Sequence, residues 1–143
     1  MNVPSLRSSY DTVGGIVHFG RMLDKIRLHA TGKLPVDYRQ NLGIGFDGRC
    51  CNFLHVKYED VVPRVKLGGT DEDVLQWCFE NGRKPTDEEI EVWNGFMSKR
   101  GWRDEASARL EERKRESNFA HRTDIQTFFD YIEADEGRPP RCP

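Results

Sequence analysis

Apolar residues recur at helical spacing along most of the chain. Between Gly14 and Pro35, residues Ile16, Phe19, Met22, Leu23, Ile26 and Ala30 fall on one face of a helical projection, and His18, Arg21, Lys25 and His29 fall on the opposite face. The pattern predicts a long first helix from the Gly14–Gly15 hinge to about Thr31. Gly32 supplies its stop, Lys33 complements the negative end of its dipole and Pro35 lies just beyond. Residues 1–11 lack periodicity and read as an arm.

Downstream, Gly43, Gly45 and Gly48 mark a connector loop over residues 37–49. Its letters match G-x-G-x-x-G, but no apolar strand precedes them and no βαβ unit surrounds them, so the dinucleotide reading fails on context. FDGRCCNFLHV reads as a short helix with Asp47 as its candidate N-cap and Phe46, Cys50, Phe53 and Leu54 inward. Tyr58 to Leu67 reads as another, with Val61, Val62 and Val65 on its apolar side and Pro63 in its early turn or at a kink. Two helices open on a hydroxyl followed by acids: Thr70 before Asp71-Glu72-Asp73, and Thr86 before Asp87-Glu88-Glu89. They close at Asn81–Gly82 and Gly101, and Thr86 with Glu89 forms a capping box. Arg103 to Ser117 is mostly charge anchored by Ala106 and Leu110, which predicts a solvent-facing helix. Thr123 is the expected cap of a last helix over 124–133, with Ile125, Phe128, Phe129 and Ile132 inward. No segment alternates with β-branched residues, so little or no sheet is expected. The fold class is therefore all-α, a compact irregular bundle of about six or seven short helices. The chain reads as one domain over residues 1–143, with 139–143 a short tail.

Composition narrows the function classes. The 143 residues carry 22 basic and 24 acidic side chains, a formal net charge of −2. That balance argues against a general nucleic-acid binder, although a short basic stripe is present. No apolar run reaches the length of a membrane span, and the opening MNVPSLRSSYDTV lacks the apolar stretch of a signal peptide. A cytoplasmic location is the expectation. Cysteines stand at 50, 51, 78 and 142, and free thiols are the default in a reducing compartment. Cys50, Cys51 and His55 match no standard ligand spacing, so neither a metal nor another cofactor is expected. A redox role for the Cys50–Cys51 pair would need an exposed thiol of lowered pKa beside Arg49, whereas the neighbours Phe46, Phe53 and Leu54 favour burial.

The first helix carries the densest candidate chemistry. His18 and His29 are eleven residues apart, about 16 Å along a helix, and cannot share one metal ion. His18 with Arg21 or Lys25 suits an anion, and the two cations would keep the imidazole neutral and fit to act as a general base. Asp24 is within helical reach of Arg21 and Arg27 and reads as an orienting salt bridge. The closing turn Asp135-Glu136-Gly137-Arg138 crowds two carboxylates beside one arginine. Its simplest partners are Arg21, Lys25 or Arg27, which would make a latch between chain ends, or an acid/base site beside His18. The chain contains no P-loop, no zinc-protease motif and no recognisable Ser-His-Asp order. The leading reading is a binding or interaction module that presents His18, Arg21, Lys25 and His29 to a small anionic ligand or an acidic protein surface. The alternative is an enzyme with a His18-centred acid/base site assisted by Asp135 or Glu136. Association into a homo-oligomer is left open.

Several blocks together resemble a known family. LRSSYDTVGGIVHFGRMLDKIRLHATGKLP resembles the opening of small bacterial proteins catalogued only as a domain of unknown function. GTDEDVLQWC, EIEVWNGFMSKRG and DIQTFFDYIEADEGRPP are similar to that family's remaining blocks, so the likeness spans about Ser5 to Pro140. The resemblance implies a mainly helical bacterial cytosolic protein and transfers no catalytic residue. Cys50–Cys51 departs from the ordinary apolar residues expected at that point.

Overall fold

A computed structural model describes residues 1–141 of the chain. The elements are β1 (Thr12–Val13), β2 (Ile16–Val17), α1 (Phe19–Ala30), α2 (Val36–Arg39), α3 (Phe46–Leu54), α4 (Tyr58–Lys66), α5 (Asp71–Asn81), α6 (Asp87–Lys99), α7 (Ser107–Glu116) and α8 (Phe128–Asp135). The protein is mainly helical, as its periodicity predicts. The described residues hold eight helices rather than six or seven, because one turn, α2, forms inside the glycine-containing connector.

The first helix is shorter than its periodicity suggests. Residues 12–17 form an antiparallel hairpin in which Thr12 pairs with Val17 and Val13 with Ile16. Gly14 and Gly15 take φ of 58° and 78°, the positive values that a two-residue turn between twisted strands requires. His18 then adopts the left-handed region, at φ 69°, and its carbonyl accepts the Met22 N–H at 2.9 Å to start α1. Val13, Ile16 and Val17 are buried, so the hairpin places on the core side residues that also fit a helical stripe.

Helix starts set by local chemistry fall where the sequence puts them. Thr70 and Asp73 exchange hydrogen bonds across the first turn of α5, and Thr86 and Glu89 do the same at α6. The last helix is a correction: α8 is capped by Thr127, whose Oγ1 accepts the Asp130 N–H at 3.1 Å, and not by Thr123. The charged helix α7 is also less solvated than expected, because Lys114 is buried and its Nζ donates to the Ile125 carbonyl at 3.1 Å.

Residues 5–93 form one compact unit, and residues 1–4 with the chain from Asn94 onward form another. In the first, α1 packs on α3, α4 and β1. Phe19, Met22, Leu23, Leu54, Val61 and Val74 are fully buried there. The segment read as an arm contributes buried Leu6, Ser8 and Ser9. In the second unit Leu110, Ile125 and Tyr131 form a core, with Phe119, Phe128 and Ile132 packed against it. Gly101 has φ 99°, and a Cβ there would stand 3.0 Å from the Phe128 ring and 3.1 Å from Leu110, so glycine permits this close approach.

Candidate functional site

The amphipathic design of α1 does not leave Arg21 and Lys25 in water. His18, Arg21, Asp24 and Lys25 are 2%, 5%, 8% and 6% exposed. Of the four residues expected on an open polar face, only His29 is exposed. Two segments remote in sequence close over the others. The chain before the hairpin lies back along α1: Ser9 O accepts the His18 N–H at 2.9 Å, and Arg7 O accepts Arg21 Nη1 at 3.0 Å. Helix α3 supplies Asp47, which is wholly buried.

Asp47 organises this polar core. Its Oδ1 lies 2.8 Å from His18 Nε2 and its Oδ2 2.9 Å from Lys25 Nζ. Oδ2 also accepts the Gly43 N–H at 3.2 Å, tying the connector loop to the same carboxylate. On the other side of the ring, Ser9 Oγ is 3.3 Å from His18 Nδ1, and Phe46 stands edge-on with ring centroids 5.7 Å apart. One assignment of protons satisfies every partner: Nε2–H donates to the carboxylate and Nδ1 accepts from the Ser9 hydroxyl.

The electrostatics agree with that assignment. Burial pushes the His18 pKa below its ordinary value against the opposing pull of Asp47, and Lys25 and Arg21 add to the lowering, so the imidazole is neutral. Burial alone would raise the Asp47 pKa, but the His18 hydrogen bond and the Lys25 charge outweigh it and hold the carboxyl at about 2. Both shifts destabilise the fold in acid. Where the unfolded chain binds more protons than the folded one, stability rises with pH. The His18 contribution is therefore complete above an unfolded pKa of about 6.5 and declines as pH falls through that value. The Asp47 contribution is complete above about 3.9 and is lost as pH falls towards 2. Denaturation midpoints measured from pH 8 to pH 2 should fall through both windows, and a His18→Asn variant should lack the first.

A second ionic cluster braces the same helix. Arg7 makes a fork to Asp24, with Nε at 2.9 Å and Nη2 at 3.0 Å, and its Nη1 reaches Asp71 at 2.7 Å. Arg27 joins Asp71 at 2.7 Å. Asp24 is thus an orienting salt bridge whose main partner is Arg7, with Arg27 farther away at 3.7 Å. Gly20 leaves room for this fork, since a Cβ would stand 2.8 Å from the guanidinium carbon of Arg7 and push it aside.

The acidic turn at the end of α8 belongs to the second unit. Arg138 Nη1 pairs with Glu136 at 2.6 Å and with Glu133 at 3.4 Å, and Arg141 reaches Glu133 at 3.6 Å. The N-terminal ammonium of Met1 donates to the Asp135 carbonyl. Beside this turn lies a cleft of about 180 Å³ lined by Arg122, Asp124, Ile125, Asp130, Glu133 and Arg138 among others. Arg122 lies over the Phe119 ring and forks onto Asp124, with both N···O distances 2.7 Å.

Cys50, Cys51 and Cys78 are free and buried, and burial pushes the thiols of Cys51 and Cys78 up to about 12. They are packing thiols rather than nucleophiles. Cys142 lies outside the described residues. Among the described residues no group of three His, Cys, Asp or Glu is placed to hold a metal ion, and no helix is long and apolar enough to cross a membrane.

Ser9, Arg7, Asp47 and Asp71 are the members of these clusters that sequence reasoning did not assign. Asp47 and Asp71 carried only helix-start signals, and Ser9 and Arg7 sat in a segment without periodicity. No spacing rule links them to α1, because their contacts span 9 to 64 residues of chain.

No curated protein matches the chain. Residues 3–138 match a family described as a domain of unknown function, DUF5069. The sequence blocks, the mainly helical fold and this match over nearly the whole length agree, and the chain belongs to the DUF5069 family.

Proposed function

We propose that the protein is a binding module for a small ligand bearing an anionic group, and that the cleft at Arg122 and Arg138 receives it. The observation that carries this reading is the placement of two guanidiniums at an open cleft, while Arg21 and Lys25 of α1 are buried within their own unit. A guanidinium presents parallel N–H donors that match a carboxylate or phosphate. Arg122 and Asp124 are 32% and 42% exposed, so a ligand group can take the place of Asp124 at modest cost. The cleft is smaller than the roughly 300–1,000 Å³ of drug-sized sites, which favours a metabolite over an acidic protein surface. A thermal-shift panel of inorganic phosphate, sulfate, small carboxylates and free amino acids tests it. A true ligand at 100 times its Kd adds about 2.7 kcal/mol of stability. Absence of any shift across the panel, with the protein folded, ends the reading.

One observation favours a second reading, an enzyme with a His18-centred acid/base site. The Ser9 hydroxyl, the neutral His18 ring and the Asp47 carboxylate follow the order of nucleophile, base and orienting acid. Ser9 is wholly buried, so this reading needs the 5–11 segment to open. A fluorophosphonate probe applied to the native protein should then modify Ser9, and a Ser9→Ala chain should stay unlabelled. Unmodified Ser9 after prolonged exposure excludes it.

A further inference from the structure

We propose that the ligand of the 122–140 cleft is a zwitterion of the free amino-acid type, with one carboxylate and one ammonium on a small frame. This rests on the binding reading above and narrows it.

The cleft alternates in sign. Arg122 and Arg138 share its lining with Asp124, Asp130 and Glu133. Glu133 is 3% exposed and Arg138 holds it at 3.4 Å, so one carboxylate is built into the wall and does not swing into solvent. A bare anion entering this space meets three carboxylates, and like charges at short range repel strongly where water is partly excluded. A zwitterion avoids that conflict by exchange. Its carboxylate takes the fork of Arg122, which now closes on Asp124 through two 2.7 Å contacts. Asp124 is thereby released beside the ligand, and the ligand ammonium replaces the guanidinium as its partner. Arg122 and Asp124 are each paired before and after, and the net charge of the cleft does not change. A bare amine cannot do this, because it takes Asp124 and leaves the Arg122 fork without a carboxylate.

Size and wall chemistry agree. At about 180 Å³ the cleft is below the roughly 300–1,000 Å³ of drug-sized sites, which suits a compact ligand of amino-acid size. Ile125 and Ala134 give the lining an apolar stretch for a short side chain.

Titration calorimetry on the full chain decides the matter. The twenty common amino acids are measured, each against its deaminated acid and its decarboxylated amine, with inorganic phosphate as the plain anion. At least one amino acid should bind, with both truncated forms weaker by about tenfold or more, as expected for the loss of a hydrogen bond between charged groups. In Asp124→Asn, a change at an exposed position, the preference for the amino acid over its deaminated acid should vanish. Equal binding of the acid or of phosphate overturns the zwitterion while leaving the anion reading intact. Equal binding of the amine overturns it as well. Failure of every compound overturns both.

Discussion

Replacing Asp47 by Ala is expected to cost about 3–5 kcal/mol of folding stability, the penalty typical of breaking a buried ion pair from one side. The carboxylate is wholly buried and is shared by His18 at 2.8 Å and Lys25 at 2.9 Å, both of which stay in place when it is removed. The ammonium then loses its nearby counter-charge, and the imidazole loses the acceptor that fixes its tautomer. The Gly43 N–H loses its acceptor too, so the connector loop should loosen with the core. Urea denaturation at pH 7 measures the effect. Asp47→Asn, which keeps hydrogen-bonding capacity without charge, should lie between wild type and Asp47→Ala. The share of the acid loss between about pH 3.9 and 2 that Asp47 supplies should disappear in both variants, while Asp71, whose pKa the Arg7 and Arg27 pairs also hold down, keeps its own. A loss below about 1 kcal/mol for Asp47→Ala would mean that the pair behaves like a solvated surface bridge.

Trp93→Ala should cost about 3–5 kcal/mol, whereas Trp93→Phe should stay within about 1 kcal/mol of wild type. The indole is buried and stacks on Phe53 with ring centroids 4.6 Å apart and planes 6° from parallel. Arg83 lies over the Phe53 ring at 4.9 Å and its Nε donates to the Phe53 carbonyl, so losing the Trp93 ring undermines a three-residue stack. Alanine removes that surface and leaves a cavity. Phenylalanine keeps a stacking ring and deletes the Trp93 Nε1–H, which is buried without a hydrogen-bond partner. An orphan donor of this kind costs about 1–3 kcal/mol, and its removal offsets the lost ring area. Equal losses for the two variants would show that the indole N–H has an acceptor in solution.

The elements that could be read from the sequence are those fixed within one turn of helix. The Thr70–Asp73 and Thr86–Glu89 exchanges need only four consecutive residues, and both form as read. The hairpin was obscured by a real ambiguity. Ile16 and Phe19 fit a helical stripe, while TVGGIV also fits two short strands around a positive-φ pair. Burying Val13, Ile16 and Val17 together decides for the strands. The last helix misled for a similar reason: both Thr123 and Thr127 precede acids, and only the Thr127–Asp130 contact closes.

What the sequence determined by itself is local: a mainly helical chain, the caps that start α5 and α6, and the greasy stripe of α1 that faces the core. Which charges face water was decided by tertiary structure alone. Asp47 comes from 29 residues beyond His18, and the Ser9 hydroxyl comes from the segment that precedes the hairpin. Burying His18, Arg21 and Lys25 is tolerable only because these remote groups arrive to satisfy them, since a buried polar group is costly until it is hydrogen-bonded. Helical periodicity records the side of α1 that carries the cations. It holds no information about what folds over that side, because closing those contacts is a property of the whole packed chain.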